Sequence, residues 1–153
     1  MLIKRRGLLK AAGALAGVLA GGLMKPLAAL AATWNKQACA AKSPGDALKS
    51  LGTAAAEASN AITIEAPQIA ENGAVVPVEI TSNIPGTTSI AVLVEKNPYP
   101  LVAKFDFVEG ALPFVKINAK MGETSDVRVI ATAGGKHYQA TKEIKVTIGG
   151  CGG

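Results

Sequence analysis

Residues 75–82 read VVPVEITS. Val76, Val78 and Ile80 alternate with Pro77, Glu79 and Thr81. That is the period of a β-strand with one face in a core and the other in water. The pattern recurs on the C-terminal side. In residues 113–120, Val115, Ile117 and Ala119 oppose Lys116, Asn118 and Lys120. In residues 137–148, Ile144, Val146 and Ile148 oppose Glu143, Lys145 and Thr147. Four further runs are rich in Val, Ile and Thr: AITIEA (61–66), SIAVLVEK (89–96), LVAKFDF (101–107) and SDVRVIATA (125–133). Turn residues separate the runs, as Asn72-Gly73, Pro85-Gly86, Asn97-Pro98, Glu109-Gly110, Met121-Gly122 and Gly134-Gly135. About seven short strands with such turns predict an all-β chain, an immunoglobulin-like antiparallel β-sandwich over residues 62–148. The inter-sheet cysteine pair and the buried Trp of antibody domains are missing, since the only Trp is Trp34.

Upstream of the strands, residues 33–61 read as a lead and a helix. The lead has no clear period and is expected to be loosely ordered. Ser43 can cap a helix, Pro44 suits its first position, and Asp46 follows three residues after the cap. The helix is predicted over residues 44–58, with Leu48, Leu51 and Ala55 on a narrow stripe that lies on something larger.

Residues 1–32 read as a targeting segment. A basic start is followed by an apolar stretch over residues 11–23, and Ala29-Leu30-Ala31 offers a small-x-small cleavage site. The stretch is short, rich in Gly and Ala, and broken by Lys25-Pro26, which makes it a poor membrane span. Arg5 and Arg6, within RRGLLK, resemble the twin-arginine export motif, so the mature chain is expected in the periplasm. The leader also accounts for the net charge of +5: it holds five of the 16 basic residues and no acidic one, leaving 11 against 11 in the body. A neutral body with six aromatic residues and interleaved charges argues against a nucleic-acid surface, and none of it suggests a membrane anchor after cleavage.

The ordinary catalytic inventory is nearly empty. A Ser-His-Asp or Cys-His set would have to use His137, the one histidine, which follows a Gly-Gly turn and reads as a surface residue. One histidine and two distant cysteines make a poor metal site. No glycine-rich loop opens a helix to cradle a phosphate. Asp106 and Glu109 stand near a turn and read as solvated surface. Cys39, in KQACAA, lacks the leucine of a lipid-attachment site and departs from the caspase signature after QAC. It reads as a bystander thiol, with a disulfide to Cys151 left open by loop length.

What remains is the end of the chain, IGGCGG. Gly149, Gly150, Gly152 and Gly153 carry no Cβ, so the backbone around Cys151 can visit nearly any conformation. At full extension Cys151 lies roughly 10 Å beyond Ile148. Such an arm, residues 149–153, is slim enough to enter a narrow cleft and deliver one sulfur atom. Ordering it costs roughly 1–2 kcal/mol per residue, which keeps docking weak and reversible. A free cysteine titrates near about 8.5. The terminal carboxylate disfavours its anion, and the nearest basic side chain is Lys145. Activation is therefore expected from whatever site receives the arm. That describes a carrier without a catalytic site of its own.

GGCGG after a final strand resembles SoxY, the family of sulfur-carrier subunits in the periplasmic thiosulfate-oxidising Sox system. The likeness extends to APQIAENGAVVPVEI (66–80), SIAVLVEKNPYPLVAKF (89–105), KINAKMGETSDVRVIATAGGKHYQATKEIKVTIGGCGG (116–153) and the twin-arginine leader. It implies an immunoglobulin-like sandwich paired with a second small β-protein, SoxZ. It also implies that Cys151 holds the sulfur substrate covalently. Thiosulfate would be attached by the cytochrome complex SoxAX, sulfate released by SoxB, and residual sulfur oxidised by SoxCD where that enzyme is present. The haem, manganese and molybdenum of these partners are theirs, and no cofactor is expected on this chain. Cys39 departs from the family's need for a single cysteine. Two other readings compete. One is a secreted immunoglobulin-like scaffold whose Cys151 only makes an intermolecular disulfide. The other is a ubiquitin-like sulfur donor, opposed by the export leader and by the cysteine before the last glycines.

Overall fold

The computed structural model of the chain describes residues 35–147. The leader with Arg5 and Arg6, the expected cleavage site, Ile148 and the arm residues Gly149, Gly150, Cys151, Gly152 and Gly153 lie outside the described residues.

All seven expected strands are present. They are β2 (Ile62–Glu65), β4 (Val76–Ser82), β5 (Thr87–Val94), β6 (Leu101–Asp106), β7 (Phe114–Ala119), β8 (Ser125–Ala133) and β9 (Lys136–Val146). Two short strands join them, β1 (Glu57–Ala58) and β3 (Ile69–Ala70). One sheet has the order β1-β9-β8-β5-β6 with β3 also on β9, and the other has the order β2-β4-β7. The two pack face to face as an immunoglobulin-like sandwich. Between them lie Val76, Val78 and Ile80 from one side and Ile90, Val92, Val127, Val129 and Ile144 from the other, all fully buried. Alternation in the sequence therefore marked the inner face correctly: β4 buries every second residue, and Glu79 on its outer side pairs with Lys116 of β7 at 2.6 Å.

The antiparallel expectation holds for the seven longer strands. It fails for β1 and β3, which pair parallel with β9, Glu57 opposite Tyr138 and Ile69 opposite Lys145. The chain lies on one sheet at residues 57–58, crosses to the other as β2, and returns at residues 69–70. A two-residue pairing has no period, so nothing in the local sequence marks it.

The N-terminal region also departs from expectation. The lead contains a helix, α1 (Lys36–Ala40), capped by Asn35, whose Oδ1 accepts from the Ala38 N–H at 3.0 Å. The Asn35 amide also donates to the Ser50 carbonyl at 2.8 Å, and Ala38 is fully buried. A side chain that serves two helices at once thus orders a segment that looked structureless.

The second helix, α2 (Pro44–Ser50), begins as expected: Ser43 Oγ accepts from the Asp46 N–H at 3.1 Å and donates to its carboxylate at 2.8 Å. It stops eight residues short of residue 58. Gly52 takes φ +73°, its N–H donates to the Lys49 carbonyl, and the Thr53 N–H donates to the Leu48 carbonyl. This pair of bonds around a left-handed glycine closes a helix end and turns the chain out of it. The alanines beyond are therefore not helical.

The helices lie on the outer face of the larger sheet, where Ala41, Ala47 and Leu48 cover Ala91, Leu93 and Ile130. Strand β5 is thus buried on both faces, which explains its unbroken apolar run IAVLV. Truncating Ile130 to Ala leaves a void between helix and sheet. The expected loss is about 2–5 kcal/mol of unfolding free energy, measured by urea denaturation.

Candidate functional site

The described end of β9 leads toward residues 149–153, the arm expected from the sequence. The registers Val76↔Ala119, Val94↔Val127 and Ser125↔Ile144 bring the start of β4, the end of β5 and the start of β8 to the same end of the sandwich. Loops 71–75, 95–100 and 120–124 gather there. Asn97 ties two of them together: its Nδ2 donates to the Lys120 carbonyl at 2.7 Å and its Oδ1 accepts from the Gly122 N–H at 3.4 Å.

The strand end is held from both sides. Toward β3, the Lys145 N–H donates to the Gln68 carbonyl at 3.0 Å and the Thr147 N–H donates to the Ala70 carbonyl at 3.1 Å. Toward β8, the Val146 N–H donates to Thr124 Oγ1 at 3.0 Å. The Thr124 hydroxyl in turn reaches the Val146 carbonyl at 3.5 Å, the outer limit of a hydrogen bond. Beneath lies Gly73, whose carbonyl accepts from the Met121 N–H at 2.7 Å. A Cβ on Gly73 would stand 2.3 Å from the Met121 carbonyl oxygen and 2.8 Å from Val146 Cγ1. Asn72-Gly73 reads in sequence as a turn, yet Gly73 has no positive φ. It is a glycine for lack of room.

None of the other residues weighed from the sequence gathers at this end. Half-buried His137 bonds Thr132 Oγ1 through Nδ1 at 3.0 Å, beside the Gly134-Gly135 turn at the far end. Asp106 pairs with Lys104 across an exposed strand face, and Glu109 is exposed. Cys39 is half-buried in α1 as a free thiol, held in a helix rather than in a loose lead. Among the described residues no three His, Cys, Asp or Glu side chains group as metal ligands, and no helix is long and apolar enough to cross a membrane.

Sequence reasoning missed Thr124, Gly73 and Asn97 as parts of one structure. Residues 120–126 read KMGETSD. Nothing in them showed that one hydroxyl would finish a β-ladder.

Near the root, Tyr99 is half-exposed between Pro98 and Pro100, and the Lys42 ammonium sits 3.7 Å from its ring centre. Hydrogen bonding to Lys42, and then its charge, hold the Tyr99 hydroxyl below the usual tyrosine range.

The comparisons with known proteins bear on this same region. The family model described as "Sulfur oxidation protein SoxY" matches residues 48–151, a span that includes Cys151. The chain belongs to the SoxY family. The solved sulfur carrier protein SoxY from Chlorobium limicola f thiosulfatophilum is 41% identical, with a TM-score of 0.60 over 67% of this chain and 96% of that one. This is a family of sulfur-oxidation carriers. Superoxide reductase (neelaredoxin) from Ignicoccus hospitalis matches at 21% identity and TM-score 0.50, over 57% of this chain and 81% of that one. A substituted form of that reductase matches at 20% identity and TM-score 0.51, over 69% and 93%. At such identities the likeness shows the fold alone. No match is found among curated proteins.

Two outcomes follow for this SoxY-family chain. Gly73→Ala forces backbone apart at the arm root, so its unfolding free energy falls by about 1–3 kcal/mol in chemical denaturation, while Gly45→Ala, with open space around it, does not destabilise. Lys42→Met removes the cation from Tyr99, and the ionisation midpoint of Tyr99 in an alkaline absorbance titration moves up.

Proposed function

We propose that this chain is a periplasmic carrier that holds thiosulfate-derived sulfur covalently on Cys151 and presents it to the Sox enzymes. The observation that carries the reading is the family match, which runs along the sandwich and through the cysteine of the arm.

The chemistry requires little of the carrier. The Cys151 thiol and thiosulfate lose two electrons and one proton as a sulfur–sulfur bond forms between them. The thiol then bears an –S–SO3⁻ group. The electrons go to a partner oxidant, the role assigned to SoxAX. Water then attacks the sulfonate sulfur, releasing sulfate and leaving a persulfide on Cys151, the role assigned to SoxB. Further oxidation of the persulfide falls to SoxCD where that enzyme is present. Each step needs the sulfur brought to a different site and then withdrawn, so the body must supply a fixed root and the arm its reach. Thr147 is bonded to β3, and four residues on, the Cα of Cys151 lies within about 14 Å of it by chain geometry. The glycines at positions 149, 150, 152 and 153 add no side chain to be admitted by the receiving cleft.

The leader fits the same reading. Twin-arginine export moves folded cargo, which suits a chain that pairs with SoxZ before export and carries a leaderless partner out with it. A functional signal peptide on that partner would count against this.

Cys151→Ser decides the matter. Thiosulfate oxidation by the reconstituted system is expected to fall to background, with the thermal unfolding midpoint unchanged. Intact-mass analysis of the parent protein, incubated with thiosulfate and the oxidising partner, is expected to show a reductant-sensitive sulfur adduct. Full activity in Cys151→Ser would falsify the carrier reading and favour a scaffold joined through its terminal thiol.

A further inference from the structure

The geometry points to Thr124 as the positioning residue that sets where the carrier arm begins. The inference rests on the carrier reading, since it concerns the arm that bears Cys151.

The β8–β9 ladder runs antiparallel with Ser125 opposite Ile144 as its last backbone pair. Continued by one step it would set Thr124 opposite Lys145, and by two, Glu123 opposite Val146. The ladder does not continue. Residues 120–124 turn toward the loop held by Asn97, and Glu123 is exposed. Val146 would then leave its inward N–H unpaired beside the core, since β3 meets only the alternate amides of Lys145 and Thr147. The Thr124 hydroxyl fills the gap. One oxygen accepts the Val146 N–H at 3.0 Å and lies within donating distance of the Val146 carbonyl at 3.5 Å. A hydroxyl is both donor and acceptor, so a single side chain can stand in for the backbone of Glu123.

The consequence is a sharp boundary. Val146 and Thr147 are held by Thr124 on one side and by Ala70 on the other. With the hydroxyl removed, one of those two sides is gone. The segment to be ordered at each docking then lengthens toward β9, and every added backbone residue adds to the entropy lost on entry to a partner's cleft. The chemical step on Cys151 is untouched. Thr124 therefore acts on how readily the arm is captured and leaves the reaction after capture alone.

Thr124→Val keeps the shape and removes the hydroxyl; Thr124→Ser keeps the hydroxyl. Amide hydrogen exchange on the full chain is expected to speed up at Val146 and Thr147 in Thr124→Val by about tenfold, while Val127 and Val129 keep their protection. In the reconstituted system the KM for the carrier is expected to rise by about tenfold or more with kcat unchanged. Thr124→Ser should restore both. Unaltered exchange in Thr124→Val overturns the inference, as does a Thr124→Ser variant as loose as Thr124→Val. Faster exchange with an unchanged KM removes the positioning role. Cys151→Ser, run in parallel, separates the two ideas. If that variant stays active, the carrier reading falls and takes the positioning role with it. If it is inactive while Thr124→Val matches the parent in exchange and KM, the Thr124 inference alone falls.

Discussion

Strand β9 is hydrogen-bonded on both of its edges, and the rest of the molecule is arranged around that pairing. Strand β8 runs along one edge from Lys136 to Ile144. Strands β1 and β3 take the other edge at Tyr138–Gln139 and at Lys145–Val146. Between them the Lys142 ammonium donates to the carbonyls of Ile64 and Ala66 at 3.3 and 2.9 Å, tying β9 to the chain as it crosses between sheets. A strand so held offers little free edge to another molecule. It also cannot swing. The last described bond on its outer edge is that from the Thr147 N–H to the Ala70 carbonyl.

Within the described body the buried polar side chains serve the fold. The polar groups in the core are spent on structure: Ser82 and Thr87 share a hydrogen bond at 2.8 Å that closes the turn at Gly86, and Ser125 accepts from the Lys96 N–H at 3.1 Å. Arg128 of β8 and Glu95, just past the end of β5, form the least exposed of the ion pairs among the described residues, at 2.5 Å.

Much of the fold could be read in the sequence because strand burial has a period. Val76, Val78 and Ile80 stated their face outright, and so did Val115, Ile117 and Ala119. What could not be read was set by single contacts between distant residues. Helix α2 ends at a glycine whose left-handed turn outweighs the helix preference of the alanines after it. Helix α1 exists because Asn35 bonds to Ser50, and β1 and β3 exist because β9 offers them an edge. Thr124 and Gly73 were hidden for the same reason. A hydroxyl and a missing Cβ matter only once Val146 has been placed against them. The arm read from residues 149–153 lies outside the described residues, and its reading rests on composition alone.

The position of β9 in the chain has a consequence for biogenesis. The strand that joins β1, β3 and β8 is the last of the described strands to be made. While it is still inside the ribosome, the larger sheet lacks the element that links its two outer pairings to its centre. Contacts between residues 57–70 and 138–146 must therefore form late and across a long loop. A nascent chain that stops early leaves the sheet open and exposed to proteolysis. A chain that folds has, of necessity, been translated to within a few residues of Cys151. Closure of the larger sheet thus waits on a strand made after every strand it pairs with.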